Sequence, residues 1–154
     1  MEDSARQQTQ PDATDIARRV ANEMMSRDEA SRFLGITLEF IDDRKVVMSM
    51  RLTKSHLNGH GTCHGGLVFA LADTAFAVAC NAENHVAVAS GATIDFLSPG
   101  VAGEVLTASA VKRSQGRRLG VYDIDVTGGD GRLVAVFRGK SARLSGPVIP
   151  LPEV

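Results

Sequence analysis

The stretch from residue 64 to residue 80 constrains the fold more than any other part of the chain. It is rich in alanine, contains no proline, and after its opening glycines its only polar side chains are those of Asp73 and Thr74. This composition predicts a helix that is apolar on nearly every side, and such a helix is stable only when other elements bury it. Asp73 interrupts the run before it reaches the roughly 18 apolar residues that cross a membrane. The rest of the chain is therefore expected to wrap around this helix.

The overall composition suits one small globular domain. The chain has 154 residues, of which 44% are hydrophobic and 23% charged, which is enough apolar material for a modest core. Its 17 Lys and Arg nearly balance 18 Asp and Glu, so neither nucleic acid nor a membrane is expected as a partner. Residues 1–12 lack the apolar run of a signal peptide, which predicts a cytoplasmic protein. No cofactor is indicated.

The pattern of apolar residues divides the chain into four parts. The predicted parts are a flexible tail, a pair of N-terminal helices, the main domain and a C-terminal tail: residues 1–12, 13–34, 35–145 and 146–154. A break between the two helices is expected near Ser26, because Ser26 and Glu29 have the spacing of a capping box. The second helix is expected to end at Gly35.

Six runs of residues have the alternation of half-buried strands. The first two make a hairpin around Asp42 and Asp43, and their inward side chains are expected to be Ile36, Leu38, Phe40, Val46, Met48, Met50 and Leu52. The other four follow the helix at residues 85–97, 103–114, 117–127 and 132–144, separated by turns that contain glycine. Because strands and helices do not alternate as in a parallel sheet, we predict an α+β fold in which an antiparallel sheet wraps around the central helix.

Asp73 is the first candidate for chemistry. It is the only ionisable residue between His64 and Cys80, about midway along a helix that otherwise has the composition of a core. A buried carboxylate costs several kcal/mol unless partners compensate it. The structural alternative is an Asp that reaches the rim or caps a neighbouring backbone group. The functional alternative is a general base or nucleophile whose pKa the environment shifts.

Gly65 and Gly66 open the same helix. The first backbone N–H groups of a helix lack partners within it, and the helix dipole favours negative charge there. Such a position can hold the oxyanion of a thioester under attack. Close packing between helix and sheet is the alternative reason for two glycines.

The spacing of Gly65 and Asp73 limits how they can act together. They are eight residues apart, so a helix separates them by about 12 Å, and one chain cannot place both on one carbonyl. If both act, a two-fold axis must bring Asp73 of one subunit beside Gly65 of its partner. Catalysis would then require at least a homodimer.

The loop before the helix holds further polar residues. Asn58 could orient water or a thioester carbonyl, or could simply form an Asn-Gly turn. His56, His60 and His64 recur every four residues, but the glycines between them break any helix that would align them, so no metal site is predicted. Cys63 beside His64 is interpreted as a buried thiol and not as a nucleophile.

A basic cluster lies around the predicted hairpin tip at Gly116. Its members are Lys112, Arg113, Arg117 and Arg118. Such a cluster is either a solvated tip or a site for the phosphates of coenzyme A.

The segment from His56 to Gly66 (HLNGHGTCHGG), followed by Leu-Ala-Asp-Thr-Ala-Phe from Leu71 and by Ala-Cys-Asn from Ala79, resembles the PaaI-type thioesterases of phenylacetic acid degradation. The similarity continues through Thr93-Ile-Asp-Phe-Leu and Pro99-Gly100 and covers roughly residues 33–144. The resemblance implies a hotdog fold over residues 35–145 and hydrolysis of an aryl-acetyl-CoA such as phenylacetyl-CoA or hydroxyphenylacetyl-CoA. It also implies dimers that commonly pair into homotetramers.

The same resemblance suggests roles for individual residues. Asp73 matches the catalytic carboxylate, Gly65 the oxyanion donor, and Asn58 and His64 the supporting loop residues. Gly66, Thr74, Arg113 and Arg117 are the candidates for contacts with the substrate. A serine that assists water in some related thioesterases has no secure match here, although Ser90 lies near that place.

Two other functions compete with the thioesterase. A hotdog dehydratase acting on hydroxyacyl thioesters would need a His and a carboxylate as an acid-base pair, and the Asn loop followed by His-Gly-Gly and Leu-Ala-Asp argues against it. A module that binds acyl-CoA without catalysis would be indicated by loss of the helix carboxylate, but Asp73 is present.

Overall fold

The computed structural model describes residues 12–151, so the predicted tail at 1–12 lies outside the described residues except for Asp12. The elements follow the predicted order: α1 (Ala13–Arg27), α2 (Glu29–Leu34), β1 (Ile36–Ile41), β2 (Lys45–Arg51), a 3-10 turn (Lys54–His56), α3 (Gly65–Asn81), β3 (Ala87–Phe96), β4 (Val105–Gln115), β5 (Leu119–Thr127) and β6 (Leu133–Arg143). Within these residues no helix is long and apolar enough to cross a bilayer. The predicted α+β fold is confirmed.

One antiparallel sheet packs against α3. Its strand order is β1-β2-β4-β5-β6-β3, and every neighbouring pair is antiparallel. Alternate residues of the strands point inward and bury their side chains with those of α3; the inward set includes Val46, Met48, Met50, Leu106, Ala108, Ala110, Ile124 and Val126. The helix that had to be covered is thus enclosed by the sheet on one side and by α1 and α2 on part of the other.

Strand β3 forms one edge of this sheet. It pairs along its length with β6, and no other described strand lies beside it. Eight of its ten residues are exposed, on both faces of the strand, although Val88 and Phe96 are apolar. A long apolar edge with free backbone groups is a template for pairing with another chain. Within residues 12–151 this edge of the sheet is left unpaired.

The break between the N-terminal helices differs from the predicted capping box. Asp28, and not Ser26, caps α2, because an oxygen of its carboxylate accepts the backbone N–H of Ser31 at 2.9 Å. Ser26 lies within the last turn of α1 and donates its hydroxyl to the carbonyl of Glu23 at 2.8 Å. Asp is as good an N-cap as Ser, and the later position lets α1 keep its final turn. Gly35 ends α2, as predicted, and it adopts the left-handed conformation.

The first strand also departs from simple alternation. A bulge between Leu38 and Phe40 shifts the register against β2, and one inserted residue turns the following side chains to the opposite face. Phe40 is consequently exposed, and Ile41 takes the buried position instead. The prediction that Phe40 points inward was wrong for this reason. In β2 the predicted inward residues are all buried.

The C-terminal segment is held against the end of α3 by Asn84. The Oδ1 atom of Asn84 accepts the backbone N–H groups of Val148 and Ile149 at 3.0 and 2.9 Å, and its Nδ2 atom donates to the carbonyl of Ile149 at 3.0 Å. Both Asn84 and Ile149 are buried. The packed structure therefore extends past residue 145, where the domain was predicted to end.

The tightest approach between helix and sheet occurs at Gly139 of β6. The Phe76 ring of α3 lies so close that a Cβ atom at Gly139 would be 2.6 Å from two of its carbons. Phe76 also packs against Tyr122 and Phe137, with ring centroids 5.7 and 5.9 Å apart. The missing side chain of Gly139 thus lets the Phe76 ring pack against the sheet.

We expect Gly139→Ala to destabilise the fold by about 1–3 kcal/mol, because the added methyl group must displace a ring that is packed on all sides. Urea unfolding measures the loss. Gly129→Ala is the matched control, because a Cβ there meets no atom within 4 Å, and surface changes of this kind alter stability by about 0.5 kcal/mol or less. Equal stability of the two variants would contradict the packing described.

Candidate active site

The loop that leads into α3 is closed by Asn58. Its Oδ1 atom accepts the backbone N–H groups of His60 and Thr62 at 2.9 and 3.2 Å, and its Nδ2 atom donates to the Thr62 hydroxyl at 3.1 Å. Its own backbone N–H donates to the Thr62 carbonyl at 2.8 Å. Asn58 therefore shapes the turn, as one of the two interpretations of the sequence proposed. The second hydrogen on Nδ2 meets no acceptor among residues 12–151 and remains available to a ligand.

His64 is the N-cap of α3. Its Nδ1 atom accepts the backbone N–H of Gly66 at 3.0 Å, and its own backbone N–H donates to the carbonyl of His56 at 2.8 Å. An Nδ1 atom that accepts a hydrogen bond carries no proton, so the ring is the neutral tautomer protonated on Nε2. Because His64 occupies the Gly66 amide, that amide is not free to bind a second acceptor of its own.

Gly65 keeps its backbone N–H unoccupied. It is the first residue of α3, and no group among residues 12–151 accepts its hydrogen. The Phe96 ring of β3 lies against its α-carbon, because a Cβ built there would be 3.2 Å from the Phe96 Cζ atom. A groove in front of it is lined chiefly by apolar residues, among them Val68, Phe96, Leu97 and Val134. Gly65 thus offers a free donor at a helix N-terminus beside an apolar groove.

Asp73 lies two turns further along α3 with its carboxylate unpaired. The residue is half-buried, and within the described chain it makes no hydrogen bond to a side chain or cap and no ion pair. Desolvation raises the pKa of this carboxyl above its ordinary value. The alternative in which Asp73 caps a neighbouring backbone group is therefore not what this structure contains. A half-buried carboxylate without a partner is poised to take a proton.

Thr74, next to Asp73, connects α3 to the N-terminal helices. Its hydroxyl oxygen lies 2.9 Å from the Ala70 carbonyl and 3.1 Å from the Ser31 hydroxyl, which in turn lies 2.6 Å from a carboxylate oxygen of Asp28. The hydroxyl groups of Thr74 and Ser31 have only two protons for these three contacts, so at most two of the contacts are hydrogen bonds at any moment. Ser31 is buried. The contact places α2 directly beside the turn of α3 that carries Asp73.

The predicted basic residues lie away from α3. Arg113 donates from Nε to Asp123 at 2.7 Å, and Arg117 is exposed between β4 and β5. No hydrogen bond or ion pair among residues 12–151 joins either of them to α3. The structure does not bring these two arginines to Asp73 within one chain.

Cys63 is buried, in agreement with its interpretation as a structural thiol. Desolvation, with a contribution from the charge of Glu104, raises the pKa of this thiol to about 11. A thiol with such a pKa stays protonated at neutral pH and is a poor nucleophile. His56 is buried as well, and its Nδ1 atom accepts the backbone N–H of Thr53 at 3.0 Å.

Two residues near the site were not found by sequence reasoning alone. Phe96 belongs to a strand-like run in which nothing distinguishes it from other apolar residues, and only the tertiary fold places it on Gly65. Ser31 lies 43 residues before its partner Thr74, and no local pattern reveals such a pair.

Ser90 sits at a bulge of β3 and donates to the carbonyl of Lys140 at 3.1 Å, so its hydroxyl is engaged with the neighbouring strand.

Comparison with known proteins identifies the family to which this fold belongs. The model of the thioesterase superfamily matches residues 60–135. The acyl-coenzyme A thioesterase PaaI of Escherichia coli is 49% identical over 128 residues, which are 83% of this chain and 91% of that protein. The solved structure of the E. coli PaaI protein, from the phenylacetic acid degradation operon, has a TM-score of 0.86 at 47% identity and covers 88% of this chain and 98% of its own. A hypothetical thioesterase of Streptococcus pneumoniae solved with coenzyme A has a TM-score of 0.70 at 28% identity and covers 73% of this chain and 90% of its own.

We expect Asp73→Asn to stabilise the protein at neutral pH. The folded pKa of Asp73 lies above its unfolded value of about 3.9, so the wild type loses stability as the pH rises through the folded pKa, whereas Asn does not titrate. The difference in the free energy of unfolding between Asp73→Asn and the wild type should therefore shrink toward zero as the pH falls below the unfolded-state pKa of Asp73. Urea unfolding across the acidic range measures it.

The control for this comparison is Asp125→Asn, because Asp125 is exposed on β5. A gain for Asp73→Asn that is no larger than the gain for the control, or that does not change with pH, would contradict the desolvation of Asp73.

Proposed function

This chain belongs to the hotdog-fold thioesterase superfamily and is a thioester hydrolase, and we propose that it hydrolyses aryl-acetyl-CoA to the free acid and CoA. Phenylacetyl-CoA and hydroxyphenylacetyl-CoA are the proposed substrates. The observation that carries the proposal is the unpaired, half-buried carboxylate of Asp73 on the same helix that presents the free N–H of Gly65. Support for the substrate class comes from the similarity to the E. coli enzyme.

In the proposed reaction Asp73 and Gly65 act on the same carbonyl. Asp73 accepts a proton from water while the water oxygen bonds to the carbonyl carbon, and Gly65 donates its N–H to the developing oxyanion. The C–S bond then breaks, and the CoA sulfur leaves with a proton. Alternatively, the carboxylate itself attacks, and water hydrolyses the resulting anhydride. The raised pKa of Asp73 serves both routes, because a more basic carboxylate is both a better proton acceptor and a better nucleophile.

The proposed site is shared between two subunits. Gly65 and Asp73 both lie on the continuous helix α3, about 12 Å apart along its axis, whereas each must come within about 3 Å of the reacting group. The free edge of β3, with Phe96 against Gly65, is the surface on which a second copy would join. We infer that a homodimer is the minimal active unit and that two dimers form a homotetramer.

The remaining predicted residues have supporting roles in this proposal. Asn58 and His64 shape the loop and cap that present Gly65, and Gly66 and Thr74 border the acyl group on either side of the shared site. Arg113 and Arg117 are proposed to meet the phosphates of CoA from the hairpin of β4 and β5. Residues 35–145 form the catalytic domain of a cytoplasmic enzyme.

Asp73→Asn is expected to retain the fold and to lower turnover by at least about 100-fold, the usual contribution of a positioned base. Thiol release from a panel of aryl and alkyl acyl-CoAs measures it, with Asp125→Asn as the control. Wild-type turnover in Asp73→Asn would remove Asp73 from the mechanism.

The same panel tests the substrate. The wild type should hydrolyse phenylacetyl-CoA faster than any long-chain acyl-CoA, and the reverse order would overturn the aryl preference. If no member of the panel releases thiol, the assignment of the protein as a thioester hydrolase is wrong.

Mixing two inactive variants tests the shared site. Asp73→Asn and a variant with a bulky residue at Gly65 should form heterodimers in which one of the two sites has neither defect, so statistical exchange restores about a quarter of the wild-type activity. Mass spectrometry verifies the exchange. Mixing Asp73→Asn with a chain that carries both changes is the control and should restore nothing. If exchange occurs and activity is not recovered, both groups must act within one chain.

A further inference from the structure

A second polar cluster lies outside the residues already assigned, at the end of the sheet where β6 begins. Its centre is the guanidinium group of Arg132. One nitrogen, Nη2, donates to the carbonyl of Pro99 and to Oε1 of Glu104, both at 2.6 Å. The other, Nη1, donates to Oε2 of Glu104 at 3.0 Å and to Asp130 at 2.8 Å. Arg132 therefore links the turn before β6 to the loop between β3 and β4.

Glu104 completes this link from the other side. Its carboxylate accepts the backbone N–H of Val101 at 2.7 Å in addition to the Arg132 hydrogen bonds, and its side chain is only 11% exposed. Its backbone carbonyl accepts the N–H of Leu52 at 2.8 Å. Hydrogen bonds from Arg132 lower the pKa of Glu104, so the carboxylate stays charged and the pair stays formed at neutral pH. The loop from Pro99 to Glu104 is thus held at both ends.

This loop in turn supports the chain that leads into α3. The carbonyl of Gly100 accepts the backbone N–H of Cys63 at 2.8 Å, two residues before Gly65. Gly100 is buried, and a Cβ atom there would lie 2.9 Å from Leu52 and 3.0 Å from the Cβ of Cys63. The hydrogen bond and the close approach at Gly100 therefore couple the position of the Cys63 peptide to that of the loop.

We propose that Arg132, through Glu104 and the Pro99 carbonyl, is a positioning residue for the oxyanion donor of Gly65. The inference rests on the proposed function of Gly65. A donor stabilises an oxyanion only within a narrow range of distance and angle, and a misplacement of about 1 Å costs on the order of 100-fold in rate. Arg132 touches no reacting atom. Its effect passes through the Pro99 carbonyl, Gly100 and Cys63.

A second ion pair in the same sheet provides a matched control. Arg138 donates from Nε and Nη2 to the two oxygens of Asp123 at 2.6 and 2.8 Å, so it makes a two-point contact like that of Arg132. Its contacts lie between strands β5 and β6. No contact of Arg138 among residues 12–151 leads to the loop that supports Cys63. If ion pairs contributed only stability, the loss of either arginine would have the same kind of effect.

The experiment compares Arg132→Ala, Arg132→Lys and Arg138→Ala with the wild type. For phenylacetyl-CoA hydrolysis we expect Arg132→Ala to lower kcat by about 10-fold or more with KM changed by less than about 3-fold, because the donor acts on the transition state and not on substrate binding. The kcat of Arg132→Lys should lie between those of Arg132→Ala and the wild type, since a lysine keeps the charge but cannot bond Pro99 and Glu104 in the same plane. Arg138→Ala should keep its kcat.

Hydrogen exchange of the Cys63 amide, followed by NMR, gives a readout that does not depend on activity. We expect this amide to lose protection in Arg132→Ala and to keep it in Arg138→Ala. An unchanged kcat in Arg132→Ala, or an equal loss in Arg138→Ala, overturns the positioning role. If Arg132→Ala does not fold, wild-type kcat in Arg132→Lys together with a fully protected amide also overturns it. If the wild type releases no thiol, the proposed function fails, and the exchange data alone still decide whether Arg132 holds the loop.

Discussion

The architecture depends on the burial of a helix that has almost no polar face. Six antiparallel strands supply an apolar surface long enough to cover most of α3, and the helix seats deeply because Gly139 yields room to the Phe76 ring. The sheet leaves part of the helix half-exposed, and Asp73 lies on that part. A carboxylate can stay ionisable there, whereas on the fully covered face it would be driven to its neutral form.

At the N-terminus of α3, some polar groups stabilise the helix and one backbone amide remains available for chemistry. A helix start offers several backbone donors with no partners in the helix. His64 takes the Gly66 donor as a cap, and Asn58 closes the loop before it. Among the described residues, only the Gly65 donor of this first turn has no acceptor. The capping that stabilises the helix thereby also selects which amide remains available to a ligand.

The sequence allowed the helices and strands to be predicted and indicated Asp73 and Gly65 as candidate site residues, because both inferences depend on local patterns. The apolar run around Asp73 and the alternation of the strands need no knowledge of tertiary contacts. What was missed depends on contacts distant in sequence or on small local choices. The bulge that exposes Phe40 leaves no mark on the alternation before it. Arg132 and Glu104 are 28 residues apart, and Asp28 replaces Ser26 as the cap through two hydrogen bonds from Ser31.

The pairing of β3 has a consequence for the order in which the chain can fold during synthesis. Among the strands that the structure describes, β3 is hydrogen-bonded to β6 alone, and β6 begins at Leu133, well after β3 ends at Phe96. At ribosomal rates of about 5–20 residues per second, β3 emerges several seconds before its partner exists. During that interval both of its edges are bare, and β4 and β5 must form their hairpin without it. Of the described strands, β3 is thus the one that waits longest for its first strand partner.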